Sequence, residues 1–324
     1  MAIHVAATQG AYRAHTYVLQ LKGVRYAQTQ FGLIVGGMAL AHGSNAGSGE
    51  TIYGLGFTPQ SSTTPFTEFV FSFDTTTPTN VLTRHDLTGI LSGDGIRDID
   101  VRPANRQIYG WGFRNIYTID PATGSATLVS TLNSVQPLDT PTSDFDPVAD
   151  RLRVVEFSGR NILVNVDTGQ GVEQGSMTYA SNDGRTGRPV FTSLAYSNNF
   201  TGATTTTLYG VDVDNLATIE PESGIVHTVG PLRVPTSSGT GFDISGLTGM
   251  AYFVNGSANL YTVNLQTGSA TLVGRIGLAA NEGVNTITVG VVAAEIAEPG
   301  TILLLSVGFP AMAVAFRKRR MSRE

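Results

Sequence analysis

The sequence predicts an all-β protein, a β-propeller of five four-stranded blades in which the two ends of the repeat region complete one blade. Three observations predict it. A strand-like string recurs at intervals of 44 to 53 residues, no long segment between 47 and 290 has helical spacing of apolar residues, and two incomplete units at the ends are complementary. A repeat of this length without helical periodicity is typical of propeller blades.

The recurring string is an apolar strand that ends in an acidic or amide residue. Its copies read FVFSFD, NIYTID, ILVNVD, NLATIE and NLYTVN, at 69–74, 115–120, 162–167, 215–220 and 259–264. The second and fifth copies are nearly identical, which indicates that the same structural unit is built again.

One complete unit spans 95–129 and contains four predicted strands. GIRDIDV is a first strand in which polar and apolar residues alternate, QIYGWGF is a second, NIYTID is a third and SATLV begins a fourth. The turn PATG separates the last two strands, and its glycine tolerates positive φ. The glycine recurs in the other units, at 124, 169, 224 and 268.

The two ends of the repeat region are each half a unit. The string TIYGLGF (51–57) corresponds to second strands and has no first strand before it, whereas GVNTITVGVVA (283–293) corresponds to first strands and has no second strand after it. Pairing of the two would close the ring and remove its free edges. This gives five blades; six would require a repeat that we do not recognise. GATTTT (202–207) is an insertion in the fourth unit.

The charge distribution divides the chain into three parts, 1–46, 47–294 and 295–324. The central part carries twelve basic and twenty-two acidic residues, a net charge of −10. An acidic body without a basic stripe argues against nucleic-acid binding. The chain has no cysteine, which excludes disulfides, Cys-ligated zinc and iron–sulfur sites.

The first part, 1–46, is predicted to be a leader that contains a signal peptide. Arg25 precedes the apolar core FGLIVGGMALA (31–41), and Ser44-Asn45-Ala46 is a candidate cleavage site. The region before Arg25 is long for a signal, which a misplaced start codon would explain. The alternative is a buried strand with a ragged N-terminal tail.

The last part, 295–324, has the order of an export-linked membrane anchor. Thr301–Phe316 is an apolar run just long enough for a transmembrane helix, and the positive-inside rule places the basic cluster that follows it in the cytoplasm. That cluster is Arg317, Lys318, Arg319 and Arg320. The body would then lie outside the cytoplasm.

This tail resembles the PEP-CTERM sorting tails of bacterial exported proteins, which have a short Pro-Glu-Pro box before the apolar helix and an Arg-rich end. The box here is Ala297-Glu298-Pro299, without the first proline. The resemblance implies processing by an exosortase-type membrane protease and delivery to the envelope surface or an exopolysaccharide matrix. The alternative is a plain single-span anchor that is never processed.

The amino-acid sequence of the repeats also resembles that of a known bacterial family. Strings such as LYGVD, LYTVN-LQTG-SATLVG, GFD and DFDP resemble the exported family known as domain of unknown function 4394, over nearly all of 50–290. The resemblance implies export and a propeller-like body. It implies no catalytic residues.

The first strands carry the candidate functional residues. Asp98, Asp144 and Asp243 align at one strand position with Thr286 and Ser193, each followed by an apolar residue. First strands are innermost in a propeller, so these side chains would form a ring near its axis, and three carboxylates there could bind a hard cation such as Ca²⁺. The structural alternative is that each aspartate accepts hydrogen bonds from the neighbouring blade.

Asp146 is a further cation candidate. It lies in a D-x-D-x-x-x-D string with Asp144 and Asp150. The string lacks the spacing and the glycine of an EF-hand, and a turn with solvated charges is the alternative. Aromatic residues of a second strand, Trp111 and Phe113 among them, could stack on a sugar or pack within the blade.

The sequence therefore favours an exported, non-enzymatic binding or scaffold propeller at the cell envelope, with a polysaccharide, a surface protein or a cation as its partner. The alternative is an extracellular hydrolase acting on a sugar or ester, with or without a metal. HExxH, Gly-x-Ser-x-Gly and phosphate-loop motifs are all missing from the sequence. Paired carboxylates are therefore the only support for the hydrolase.

Overall fold

The structure is a computed structural model that describes residues 16–21, 24–29, 49–62, 65–133, 141–236 and 240–290. The chain divides into two compact units, 1–46 and 47–324. In the first unit, strands β1 (Thr16–Leu21) and β2 (Val24–Thr29) form an antiparallel hairpin. The predicted apolar signal core, 31–41, lies outside the described residues.

Within the described part of the second unit, five sheets form a five-bladed β-propeller. Blade 1 contains β3 (Thr51–Thr58), β4 (Thr67–Asp74), β5 (Val81–Asp86) and the last of the described strands, β23 (Gly283–Val289). Blade 2 contains β6 (Asp98–Val101), β7 (Ile108–Trp111), β8 (Asn115–Ile119) and β9 (Ala126–Thr131). Blade 3 contains β10 (Pro141–Asp146), β11 (Arg151–Glu156), β12 (Asn161–Asn165) and β13 (Gln170–Glu173).

The two remaining blades follow the same order from the axis outwards. Blade 4 contains β15 (Phe191–Tyr196), β16 (Leu208–Asp212), β17 (Asn215–Ile219) and β18 (Ile225–Pro231). A short extra strand, β14 (Thr178–Tyr179), pairs in parallel with β18. Blade 5 contains β19 (Gly241–Ile244), β20 (Ala251–Val254), β21 (Asn259–Val263) and β22 (Ala270–Arg275). The prediction of five blades is confirmed, whereas β14 was not predicted.

Blade 1 closes the ring as the sequence predicts. Strand β23 pairs antiparallel with β3, with Thr286 opposite Leu55 and Thr288 opposite Tyr53. A second contact reinforces the closure, because the buried Glu50 carboxylate accepts hydrogen bonds from Tyr252 (2.8 Å) and Thr248 (3.0 Å) of blade 5. The first blade is therefore held to the last by backbone pairing and by side-chain contacts.

The hydrophobic core lies between neighbouring blades rather than within one sheet. Five clusters of buried side chains fill the five blade–blade interfaces. Trp111 and Tyr109 belong to the cluster between blades 2 and 3, so they pack within the protein and are not free to stack on a sugar. The five innermost strands contact one another around the ring, which brings their side chains to the axis.

The turn between the two outer strands of each blade receives the chain that leaves the preceding blade. Asn133, just after blade 2, donates its N–H to the Gly169 carbonyl of blade 3 (3.1 Å), and Thr88 donates to Gly124 in the same way (3.0 Å). The turn glycines have positive φ, and a Cβ on Gly169 would lie 2.0 Å from the Thr131 carbonyl oxygen. Glycine is therefore required there both by backbone conformation and by the close approach.

A candidate cation centre on the propeller axis

Three aspartates from three blades meet at the axis. Ligand oxygens of Asp100, Asp144 and Asp243 all lie within 4.8 Å of one another, and all three residues are buried. They project from β6, β10 and β19, the innermost strands of blades 2, 3 and 5. We call these three residues the axial trio.

Strand register explains two members of the trio. Asp100 is paired with Tyr109, Asp243 with Tyr252 and Thr288 with Tyr53, so these three residues occupy the same level in their blades. Alternation of side chains along a strand then directs all three to the same side of their sheets. Asp144 has Arg153 as its partner and reaches the trio from blade 3.

Asp98, which the sequence grouped with Asp144 and Asp243, is not a member of the trio. It lies opposite Trp111, two residues before Asp100. Both aspartates of GIRDIDV precede an apolar residue, so alignment on that residue could not distinguish them. The sequence pattern therefore does not distinguish Asp100 from Asp98, and the register of Asp100 against Tyr109 in the second strand identifies it.

Each of these four aspartates accepts a hydrogen bond from the backbone of the next blade. The donors are innermost-strand N–H groups, a pattern that ties neighbouring blades together near the axis. The pairs are Asp98 with Ser143 (2.6 Å), Asp100 with Phe145 (2.7 Å), Asp144 with Tyr196 (2.9 Å) and Asp243 with Val289 (2.5 Å). The structural alternative for the aspartates is thus present in the structure, and it leaves open what compensates their charge.

Burial raises the pKa of every carboxyl group in this region. Desolvation is the largest cause throughout, and it raises the pKa of Asp98 to about 6 and that of Asp243 to about 7. The pKa values of Asp100 and Asp144 are raised well above the usual range by desolvation and then by neighbouring aspartates. Hydrogen-bond donors oppose these shifts, and no basic side chain of the described residues is among their main causes.

The trio also has few side-chain hydrogen-bond donors among the described residues. The Thr288 hydroxyl lies 2.8 Å from an Asp100 oxygen and 3.1 Å from an Asp243 oxygen, and it accepts the N–H of Val101. A hydroxyl has a single proton, so it can donate to only one of the two carboxylates at a time. The buried Ser193 hydroxyl of blade 4 has no hydrogen-bond partner among the described residues. Strand pairing places Ala195 of blade 4 at the same level as Thr288 of blade 1. Ser193 precedes Ala195 by two residues, so it lies one step along the same side of the innermost strand from the level of the trio.

This arrangement can act in one of two ways. Like charges at such distances in a desolvated site cannot all remain ionised without compensation, so the trio must bind protons or a cation. Carboxylate and hydroxyl oxygens are the ligands that Ca²⁺ prefers. The residues present therefore fit a hard cation chemically, with the trio and the Thr288 hydroxyl as its candidate ligands.

Asp146 serves a different purpose. Its carboxylate accepts the N–H groups of Val148 and Ala149, each at 2.9 Å, which caps the turn after β10. Asp150 has a φ of 52° and forms an ion pair with Arg102 of blade 2 at 2.7 Å. The part of the D-x-D-x-x-x-D string from Asp146 to Asp150 is therefore a turn tied to the neighbouring blade, and of the three aspartates in the string only Asp144 belongs to the trio.

The predicted sorting signals fall outside the described residues. These are the box Ala297-Glu298-Pro299, the apolar run 301–316 and the basic cluster Arg317, Lys318, Arg319 and Arg320. Among the residues that are described, none belongs to a helix long and apolar enough to cross a membrane.

Comparison with known proteins identifies a family but no activity. The profile of the family described as domain of unknown function (DUF4394) matches residues 69–288. No curated protein matches the chain.

Three solved structures share low similarity with this chain. A protein from Lactobacillus plantarum is 16% identical, with a TM-score of 0.36 and coverage of 70% of this chain and 82% of that one. The extracellular domain described for a one-component system of B. thetaiotaomicron is 11% identical, with a TM-score of 0.33 and coverage of 63% and 26%. The computationally designed Ika8 protein is 13% identical, with a TM-score of 0.31 and coverage of 72% and 70%.

Proposed function

The chain belongs to the family of domain of unknown function 4394, and we propose that it is an exported binding or scaffold propeller of the cell envelope whose axial trio binds a divalent cation such as Ca²⁺. The envelope address rests on the predicted leader and on the tail that resembles PEP-CTERM signals. On the basis of that resemblance, the proposed partners are an exosortase-type protease and the membrane, and the proposed ligands are exopolysaccharide or surface proteins.

The observation that carries the cation centre is the uncompensated charge of the trio. Asp100, Asp144 and Asp243 are each at most 3% exposed, and their oxygens lie within 4.8 Å of one another. The nearby Arg153 does not neutralise them by an ion pair, because its guanidinium donates to Tyr196, to Asn161 and to a backbone carbonyl. A divalent cation would supply the missing charge without protonating the carboxylates.

Cation binding at this place would stabilise the closed ring. The trio joins blades 2, 3 and 5, and Asp243 also accepts the N–H of Val289 in the closing strand β23. Thr288 of the same strand touches both Asp100 and Asp243. A bound cation would therefore connect four of the five innermost strands. Exported modules commonly bind Ca²⁺ with dissociation constants of about 10⁻⁴ to 10⁻³ M, which suits a protein that meets calcium only after export.

The hydrolase alternative has no support in the geometry. A general acid and base must reach the substrate, whereas the carboxylates of the trio are buried. Of the two histidines in the body, His227 lies on the outer strand β18, is half-exposed and contacts Glu220 in the turn before it. We therefore do not propose an enzymatic activity.

The test compares the full chain and its Asp144→Asn variant after exhaustive chelation. Asn retains an acceptor for the Tyr196 N–H but removes one negative charge. We expect millimolar Ca²⁺ to raise the unfolding temperature of the wild-type chain by several degrees, and the variant to lose most of this rise. Asp120→Asn on an exposed turn is the control with the same change in charge.

Equal responses of wild type and Asp144→Asn would exclude the axial trio as the cation site. If Asp144→Asn does not fold, Asp100→Asn serves the same purpose, because Asp100 belongs to a different blade. A wild-type chain that neither retains metal nor responds to Ca²⁺, Mg²⁺ or Mn²⁺ would leave the trio protonated and overturn the proposal.

A further inference from the structure

A concave site lies between blades 1 and 2, away from the axial trio. It is a cleft of about 490 Å³. We call it the mouth cleft, and the residues that matter for its chemistry are Phe66, Glu68, Leu91, Asp94, Arg97 and Phe113. They come from the loop before β4 and the start of β4, from the connection between blades 1 and 2, and from the turn between β7 and β8.

The mouth cleft lies at the strand ends opposite the C-terminal end of β23. In blade 1, Glu68 pairs with Phe57 at one end of β3. Gly290, which follows β23, donates its N–H to the Thr51 carbonyl at the other end of β3. The cleft is therefore on the face of the propeller remote from Gly290.

Apolar side chains are exposed at the mouth cleft without being part of the core. Phe66 is 55% exposed and stacks on Phe57 with one face, at a centroid distance of 6.3 Å. Leu91, which also lines the cleft, is 48% exposed. An exposed, flat aromatic face supplies contact area for a ligand with an apolar side.

The polar groups of the cleft include both a donor and an acceptor. The Arg97 guanidinium lies 3.9 Å from the centre of the Phe113 ring, which holds this long side chain in place. Glu68 receives a weak hydrogen bond from the Ile96 N–H at 3.3 Å. Burial raises the pKa of the Glu68 carboxyl, against the opposing effects of the Ile96 N–H and Arg97.

Asp94 shapes the cleft rather than offering its carboxylate to a ligand. It accepts hydrogen bonds from the Phe113 N–H (2.7 Å), the Asn115 amide (2.8 Å) and the Tyr117 hydroxyl (2.8 Å). These bonds fix the loop that carries Arg97 to the turn that carries Phe113. The cleft is thus preorganised, which reduces the entropic cost of binding.

The chemistry of the cleft restricts its ligand. An anionic ligand would meet the Glu68 carboxylate beside Arg97, and a cationic ligand would meet the Arg97 guanidinium beside Glu68. A fully apolar ligand would remove water from both groups without offering them a hydrogen bond. A neutral sugar has a C–H face for Phe66 and hydroxyl groups that can both donate to Glu68 and accept from Arg97. We propose that the mouth cleft binds a neutral oligosaccharide, with Phe66 as the stacking platform and Glu68 and Arg97 as hydrogen-bonding partners.

This inference rests on the proposed envelope role only for the kind of ligand the protein would meet. The test is a glycan array probed with the full chain, containing neutral glucan, mannan and N-acetylglucosamine oligomers beside uronic-acid and sulfated polymers. Titration calorimetry with the best neutral oligomer then gives the affinity, with and without a chelator. Binding that persists under chelation separates the mouth cleft from the axial trio.

We expect binding to neutral oligomers, and a loss of affinity of at least about tenfold in Phe66→Ala. Glu68→Gln should also lower the affinity for the oligomer, because the amide offers one acceptor oxygen instead of two. The side chain keeps its shape in this variant. Phe157→Ala is the matched control, since Phe157 is a 42% exposed phenylalanine of blade 3, outside the cleft. Unchanged unfolding temperatures check that the variants are folded.

Three results would overturn the proposal. They are the absence of binding to any neutral glycan, binding only to the anionic polymers, and affinities of Phe66→Ala and Glu68→Gln within twofold of wild type. None of them bears on the cation centre, which the calcium response of the same preparations tests separately.

Discussion

The rim and the axis of this propeller differ in how closely the residues at equivalent positions agree between blades. At the rim, the turn between the third and fourth strands has a glycine of positive φ in four blades, at 124, 169, 224 and 268. At the axis, the level occupied by Asp100 is taken by Asp243 in blade 5, by Thr288 in blade 1 and by Ala195 in blade 4. The rim is nearly uniform, whereas the axis varies from blade to blade.

The difference shows which constraints are local and which are shared. Each turn at the rim packs closely against the backbone that follows the preceding blade. The steric constraint is therefore the same in each blade and acts on each turn separately. The axial side chains all enter one small volume, where five aspartates would add charge that no cation could compensate. The axis therefore needs acidic residues in some blades and hydroxyl or apolar residues in the others.

The largest effect is expected at the rim, from Gly169→Ala. The new Cβ would lie 2.0 Å from the Thr131 carbonyl oxygen, on a residue with a φ of 72°. We expect a loss of about 3 kcal/mol in the free energy of unfolding, because steric overlap adds to backbone strain. Denaturant unfolding of the chain measures it.

Gly184→Ala is the control, since its φ is 83° and a Cβ would meet nothing within 4 Å. Strain alone should then cost about 1 kcal/mol. Equal costs at the two positions would show that the approach of the preceding blade does not constrain the rim.

The next effect is the pH dependence of the axis. Without divalent cations, folded Asp98 and Asp243, with pKa values of about 6 and about 7, retain protons that the unfolded chain, with a pKa of 3.8, has released. The free energy of unfolding should therefore fall by about 2 kcal/mol as the pH rises from 6 to 7.5. Saturating Ca²⁺ should flatten this fall, and chemical denaturation across the pH range measures both curves. A stability that rises with pH in the chelated protein would contradict the account.

The smallest effect is expected from Thr288→Val, which removes the hydroxyl between Asp100 and Asp243. The isosteric change leaves the Val101 N–H without one of its acceptors and the trio without its shared donor. We expect a loss of about 1 to 2 kcal/mol and weaker binding of Ca²⁺. Thr271→Val on the exposed face of β22 should change stability by at most about 0.5 kcal/mol. A Thr288→Val chain with unchanged stability and calcium response would remove Thr288 from the centre.

The architecture could be predicted from the sequence because short local patterns define the repeat. The strings around 115–120 and 259–264 fixed the period, and the half units at 51–57 and 283–293 indicated the closure that β23 and β3 form. The parallel strand β14 was missed because Thr178 and Tyr179 have no alternation to indicate a strand.

The site was only partly predictable. Asp144 and Asp243 were found because they align at one position of the repeat, whereas Asp100 depends on a register that only cross-strand pairing reveals. The mouth cleft brings together Phe66, Arg97 and Phe113 from three connections that share no motif. Phe113 was considered for sugar stacking, but its contact with Arg97 depends on the packing of two blades.

The most direct test of the axial centre is the number of protons that calcium releases. Titration calorimetry of the chelated full chain with Ca²⁺ at pH 7, in two buffers of different ionisation enthalpy, measures this number. We expect one site per chain and release of at least about one proton, because burial raises the pKa of all three trio carboxyls, that of Asp243 to about 7, and a bound cation requires them ionised. Calcium binding without proton release, or release that persists in Asp144→Asn, would contradict a cation held by Asp100, Asp144 and Asp243.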